Sequence, residues 1–142
     1  MKKNMGRDFS KPTTKEIGNL GERKAARYLM RRGYCIKARN FRAGKYEIDL
    51  IAESLFSVVF VEVKTRNYRE KDLIDPIRPA HAVDEEKIKF LRRAAFQYLR
   101  QYPTWKKTRI DIVEVWMKEN KVFRINRIKD VKRIEFSYGG TK

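Results

Sequence analysis

Two acids and a lysine stand where the surrounding sequence is apolar. Asp49 lies in Tyr46-Glu47-Ile48-Asp49-Leu50-Ile51, and Glu62 and Lys64 lie in Val59-Phe60-Val61-Glu62-Val63-Lys64. Both runs have the composition of strands. Successive strand side chains point to opposite faces. Glu47 and Asp49 are therefore predicted on one face with Ile48 and Leu50 on the other, and Glu62 and Lys64 on one face with Val61 and Val63 opposite. The short turn from Glu53 to Phe56 predicts an antiparallel pair, which brings the Asp49 and Glu62 carboxylates together beside Lys64, with Glu47 near. Two carboxylates about 4 Å apart repel by roughly 4 kcal/mol at an effective dielectric near 20. A shared proton, the adjacent Lys64 or a divalent cation would offset that cost.

The last of these has a chemical logic. Mg²⁺ takes one or two carboxylates, carbonyl oxygens and waters. Asp49 and Glu62 supply the acids, and the main-chain carbonyl of Val63, between the acid and the lysine, is a further candidate ligand. Mn²⁺ would fit the same oxygen donors. Such an ion lowers the pKa of a bound water and offsets charge on a scissile phosphate. Lys64 is placed to orient or deprotonate the water, or to stabilise the negative transition state. Glu22 joins the cluster if its helix covers this face. An acid-x-lysine triplet alone is weak; its setting in an apolar strand next to an acid-bearing one gives it weight.

The elements that must position these residues are readable from pattern. Thr13 and Glu16 form a capping box, and Ile17, Leu20, Ala25, Tyr28 and Leu29 make a helical stripe to about Arg32, stopped by Gly33. Tyr34 to Arg39 is a short strand, and Asn40 to Lys45 holds a glycine turn. Strands Tyr46 to Ala52 and Ser57 to Lys64 follow, apolar enough on both faces to be central in a covered sheet. Arg66 to Ala82, with Pro76 and Pro79, is a loop. Asp84 caps a second helix, Glu85 to about Tyr102, with stripe Ile88, Leu91, Ala95, Tyr98 and Leu99. Arg109 to Met117 and Val122 to Ile128 form a hairpin about Glu119-Asn120-Lys121, and Val131 to Tyr138 is an edge strand or tail. The order α-β-β-β-α-β-β predicts an α/β domain, one mixed β-sheet flanked by helices. Residues 1–12 are expected to be a basic mobile arm, 13–135 the domain and 136–142 a tail.

The 142 residues carry 35 Lys+Arg against 18 Asp+Glu, a net charge of +17. That excess calls for a polyanionic partner, most simply nucleic acid. Fourteen Lys and Arg lie between Met1 and Lys45, and Lys87, Lys89, Arg92, Arg93, Arg100, Lys106 and Lys107 form a second block. No apolar run reaches the length of a membrane span. Met1-Lys2-Lys3-Asn4 is not followed by a signal core, so a cytoplasmic protein with no membrane partner is expected. The single Cys35 excludes an internal disulfide, and with His81 the only histidine neither a Ser-His-Asp triad nor a His-rich metal centre can be built. Cys35 is expected to be a small core residue, Arg109 and Asp111 a structural ion pair, His81 a solvated loop residue, and Tyr98, Trp105 and Trp116 packing residues.

Gly18, Gly21-Glu22, Ala25-Ala26, Leu29, Arg39-Asn40-x-Arg42, Glu47-Ile48-Asp49-Leu50-Ile51, Val59 to Arg66, Lys87 and Arg109-x-Asp111-x-Val113 together form a more specific pattern. Over roughly Lys15 to Met117 the chain resembles the YraN family of small bacterial endonuclease-like proteins. That family is similar in fold to Holliday junction resolvases and to restriction endonucleases with a PD-(D/E)xK core. It usually has glycine where this chain has Tyr46. The resemblance implies a restriction-endonuclease-like fold and a Mg²⁺-dependent nuclease centre of Asp49, Glu62 and Lys64, with Glu22 and Glu47 as auxiliary acids. Arg39, Arg42 and Arg66 flank that centre as candidate phosphate contacts, and Lys87 matches the pattern as a residue of its edge. The implied activity is hydrolysis of DNA phosphodiesters, with DNA favoured over RNA as the partner and branched DNA the preference suggested by resolvases. A homodimer would set two centres on two strands. The alternative is a non-catalytic DNA- or RNA-binding module of the same fold.

Overall fold

The computed structural model of the chain describes residues 11–67 and 85–134. The arm before Lys11, the segment 68–84 with His81 and the Asp84 cap, and the tail lie outside them. Helix α1 (Thr14–Met30) opens on the expected capping box: Glu16 N–H donates to Thr13 Oγ1 and Thr13 N–H to Glu16 Oε2, each at 3.2 Å. It buries Gly21, Ala25, Ala26 and Leu29. After Met30 the chain unwinds through a turn in which Gly33 takes φ +89°, the left-handed conformation glycine adopts without steric cost.

Strand β1 (Cys35–Ala43) runs past the expected end at Arg39. Asn40, at φ 50°, bends it without ending it, because pairing with β2 (Tyr46–Glu53) continues on both sides, Arg39 opposite Leu50 and Phe41 opposite Ile48. Strand β3 (Ser57–Asn67) likewise outruns its expected end and takes Arg66 out of the loop, since it is paired along its whole length to β4 (Lys107–Lys118), Asn67 to Met117. Helix α2 (Glu85–Gln101) precedes β4, which turns into β5 (Lys121–Ile134) through Glu119 and Asn120, both at positive φ, a two-residue hairpin loop of the expected kind. Val131 to Ile134 continue β5. The strands lie side by side in the order β1-β2-β3-β4-β5; β3 and β4 are parallel and the other pairs antiparallel. This is the α/β arrangement expected, element for element.

Two cores lie on the two faces. On one, α1 packs Ala25, Ala26 and Leu29 against Leu50, Val59, Val61, Val113 and Val115. On the other, α2 packs Leu91, Ala95, Tyr98 and Leu99 against Ile48, Ile51, Phe60 and Ile110. Ile48 and Leu50, expected on one face, therefore face different helices: β2 loses strict alternation at Asp49, where it leaves its partner strand. Cys35 is exposed, because it starts the edge strand β1 rather than entering a core. Trp105 is 82% exposed and packs in neither core.

The expected Arg109–Asp111 pair forms and belongs to a larger network. Asp111 is wholly buried, and its carboxylate receives Arg109 Nε at 3.0 Å, Arg127 Nε at 3.0 Å and the Asp130 N–H at 2.8 Å. Tyr34 Oη accepts from Arg109 at 2.8 Å and Arg127 at 2.9 Å. Burial works to raise the Tyr34 phenol, and the two guanidiniums outweigh it, holding it below its ordinary value. The network ties the α1–β1 connection to β4 and β5.

Candidate active site

The ladder between β2 and β3 runs from Glu53 opposite Val58 to Leu50 opposite Val61. Beyond that rung β2 stays with β1, to Tyr46 opposite Ala43, and β3 stays with β4. The two strands part, and main-chain groups in the fork need other partners. Asp49 fills the gap: its Oδ2 accepts the Val63 N–H at 2.8 Å. A side chain here does what a ladder bond does higher up, so Asp49 is fixed by the fork itself.

Glu62 stands next to it on β3, with only 9% of its side chain exposed. The two carboxyl groups hydrogen-bond to each other. Lys64 Nζ lies 3.6 Å and Lys87 Nζ, from α2, 3.7 Å from Glu62 Oε1. Burial, then the Asp49 charge, pushes Glu62 up to about 7 against the pull of Lys87 and Lys64. Burial also raises Asp49, opposed by the Val63 N–H. Burial and mutual repulsion thus make both acids hold a proton more tightly than a free carboxyl does, which is one of the three ways of offsetting the repulsion.

Glu22 comes from α1 to the wall of an open cleft of about 380 Å³ that also exposes Asp49, Glu62, Val63, Thr65 and Gly18. Burial and then the charges of Asp49 and Glu47 raise Glu22, while a hydrogen bond from Asn40 and the charge of Arg39 lower it. Glu47 sits at the strand edge, opposite Arg42 in register and 3.6 Å from its Nε. Arg66 turns elsewhere: its Nε lies 2.8 Å from Glu114 Oε2, without hydrogen-bond alignment, and its guanidinium is over Trp116. Tyr46, where the resembled family has glycine, points to α2; its ring stacks on Phe90 at 4.8 Å and its hydroxyl accepts from Arg93. It does not line the cleft.

Two contributors had no role assigned from sequence. Asn40 uses its left-handed backbone to present its amide to Glu22; the available signal was a turn-forming residue between two arginines. Thr65 meets α1 at Gly21, where any Cβ would collide with Thr65 Oγ1. Gly21 thus permits the close approach that carries the next residue, Glu22, to the cleft.

The donor set suits a hard cation. It offers two carboxylates and a nearby main-chain carbonyl, the oxygen chemistry by which Mg²⁺ is held with waters completing the shell. Among the described residues no three Asp, Glu, His or Cys side chains are grouped closely enough to hold a metal by themselves. Waters and the Val63 carbonyl would have to complete any such shell.

The family model described as "Uncharacterised protein family UPF0102" matches residues 21–115. A UPF0102 protein of Bacteroides thetaiotaomicron is 41% identical over 115 residues, covering 81% of this chain and 90% of the relative. One from Caldicellulosiruptor saccharolyticus is 40% identical over 118 residues, covering 82% and 96%. One from Mycolicibacterium vanbaalenii is 41% identical over 117 residues, covering 82% and 93%. The matched span holds Glu22, Asp49, Glu62, Lys64 and Lys87.

Proposed function

The chain belongs to the UPF0102 (YraN) family, and from that premise we propose that it binds nucleic acid and hydrolyses DNA phosphodiesters with a divalent cation, Mg²⁺ or Mn²⁺. The observation that carries this reading is the Asp49–Glu62 pair in the strand fork, Glu62 buried and Asp49 half-buried, with Lys64 and Lys87 against Glu62. Asp49 and Glu62 would hold the ion, with the Val63 carbonyl. When bound, the ion supplies a more acidic water and a counter-charge for the phosphate. Lys64 orients that water or stabilises the negative transition state. Lys87 neutralises the Glu62 carboxylate from the opposite helix. Glu22 and Glu47 are auxiliary acids of the cleft, and Arg39 and Arg42 meet phosphates at its edge. The net charge of +17 supplies the general attraction. The order acid, acid-x-lysine on adjoining strands is that of a PD-(D/E)xK centre, and resolvases suggest branched DNA bound by a homodimer.

One observation favours a second reading, a non-catalytic binding module of the same fold. Asp49 is satisfied by the Val63 N–H, Glu62 has two lysines against it, and among the described residues no third acid closes the shell. A paired measurement separates the two: binding and Mg²⁺- or Mn²⁺-dependent cutting of duplex, single-stranded and four-way-junction DNA by wild type and Asp49→Ala. Cutting by wild type alone, with binding retained by the variant, supports the enzyme. Tight binding with no cutting by either supports the module.

A further inference from the structure

The end of the sheet remote from the carboxylate pair displays large apolar side chains in water. Strands β3 and β4 are parallel, with Ser57 opposite Lys107 at their first rung, so the turns entering them emerge side by side. The Lys107 N–H donates to Phe56 O at 3.0 Å and joins the two turns. From them Leu55, Phe56 and Trp105 project 78%, 71% and 82% exposed. Exposed apolar groups gathered at one place on a charged surface mark contact sites.

The display is rigidly built. Ser54 N–H donates to Ser57 O at 2.8 Å, and Ser54 Oγ accepts from the Ser57 N–H at 3.2 Å. Lys106 Nζ donates to Ser54 O at 2.7 Å and lies 2.7 Å from Glu53. A preformed turn spares a partner the cost of ordering it. A cleft of about 390 Å³ lined by Phe41, Val58, Tyr98 and Tyr102, with Lys37 and Glu53 on its rim, reaches Pro103 and Thr104, the two residues before Trp105, while Phe56 borders a separate cleft. The first has room for a large side chain.

We propose that this pole docks an acidic protein segment that inserts an aromatic or aliphatic side chain beside Trp105 and Phe56. Charge selects the occupant. The rim acid, Glu53, is already bridged by Lys37 and Lys106, which leaves a cationic border, and a second copy of a chain carrying +17 would meet it with like charge. Phe56 and Trp105 have faces on which bases can stack, but Leu55 has none, and a concave cleft with apolar walls suits an inserted side chain better than a phosphate backbone. Glu62 is five residues along β3 from Ser57, about 17 Å at strand rise, so the segment and a nucleic acid at the carboxylate pair have separate places. The proposal does not depend on the nuclease reading.

The test uses the full chain and a fluorescently labelled synthetic peptide alternating Asp or Glu with Phe and Leu, followed by anisotropy. Saturable binding is expected, weakened by about tenfold or more in Trp105→Ala and in Phe56→Ser. Both positions are exposed, and an unchanged melting midpoint verifies that the variants fold. Binding of duplex DNA by the same variants should match wild type. Four results would overturn the proposal: no peptide binding, equal binding of a peptide with serine in place of Phe and Leu, stronger competition by oligothymidine than by unlabelled peptide, or self-association abolished by Trp105→Ala.

Discussion

Glu62 binds its proton more tightly in the folded protein, at about 7, than its ordinary value of 4.5 allows. Its contribution to stability is therefore complete below about pH 4.5 and is lost as pH rises through 7. Glu62→Gln, which keeps the shape and a donor without the charge, should match wild type near pH 4. It should be more stable than wild type near pH 8, by about 3 kcal/mol at most. Urea midpoints across that range check this, and a variant less stable at pH 8 would contradict the raised value. A divalent cation should substitute for the proton. Added Mg²⁺ is expected to raise the wild-type melting midpoint near pH 8 and leave it unchanged near pH 5, and to change nothing at either pH in Asp49→Ala. On the proposed nuclease reading, Lys64→Ala should keep that Mg²⁺ response but lose cutting rate by roughly 10²-fold or more, because in that reading the ammonium acts on the reacting groups rather than holding the ion.

Helix α1 matters to the site through one glycine. Gly21→Ala puts a Cβ into Thr65 Oγ1 and must lift the helix or rotate the threonine. The expected loss is about 1–3 kcal/mol of stability, with the Glu22 side of the cleft displaced. Thr65→Ala in the same chain removes the nearest atom and should return part of the loss; additive losses in the double variant would refute the contact. The β4–β5 pair has its own anchor in Asp111, buried between Arg109 and Arg127. Arg127→Ala strips the carboxylate of one cation and should cost about 3–5 kcal/mol. Denaturant unfolding measures it, and a near-neutral effect would show that Arg109 and the Asp130 N–H suffice.

Across the whole molecule the sheet separates two surfaces along the length of β3: the carboxylate cleft past Val61 and the apolar pole before Ser57. The net charge is +17, and the basic residues gather in two blocks of the sequence, Met1 to Lys45 and Lys87 to Lys107. Nucleic-acid affinity should therefore fall steeply with salt, by at least tenfold between about 50 and 200 mM, because binding releases condensed counterions. Flat affinity over that range would mean that the charge is not the footprint. No helix among the described residues is long and apolar enough to cross a membrane, which agrees with the absence of a spanning run in the sequence.

Local pattern determined much of this protein. Periods of about 3.6 and 2, the Thr13–Glu16 box, Gly33 and the Glu119–Asn120 turn placed every described element in order, because each signal concerns neighbours in the chain. The types and spacing of Asp49, Glu62 and Lys64 were legible for the same reason. Where β1 and β3 end was not, since their last residues are held by partner strands and not by their own propensity. Nor was the face of Leu50: alternation holds only while a strand stays flat and paired, and β2 leaves β3 at Asp49. Cys35 and Trp105 were read as packed because their types usually are, yet burial depends on what lies opposite, and an edge strand and an outer turn have nothing there. Tertiary structure alone placed Lys87 against Glu62, Glu22 in the cleft by way of Gly21, and Arg66 on Glu114. Each of these joins residues far apart in sequence, and only the packing of helices on a forked sheet sets those distances.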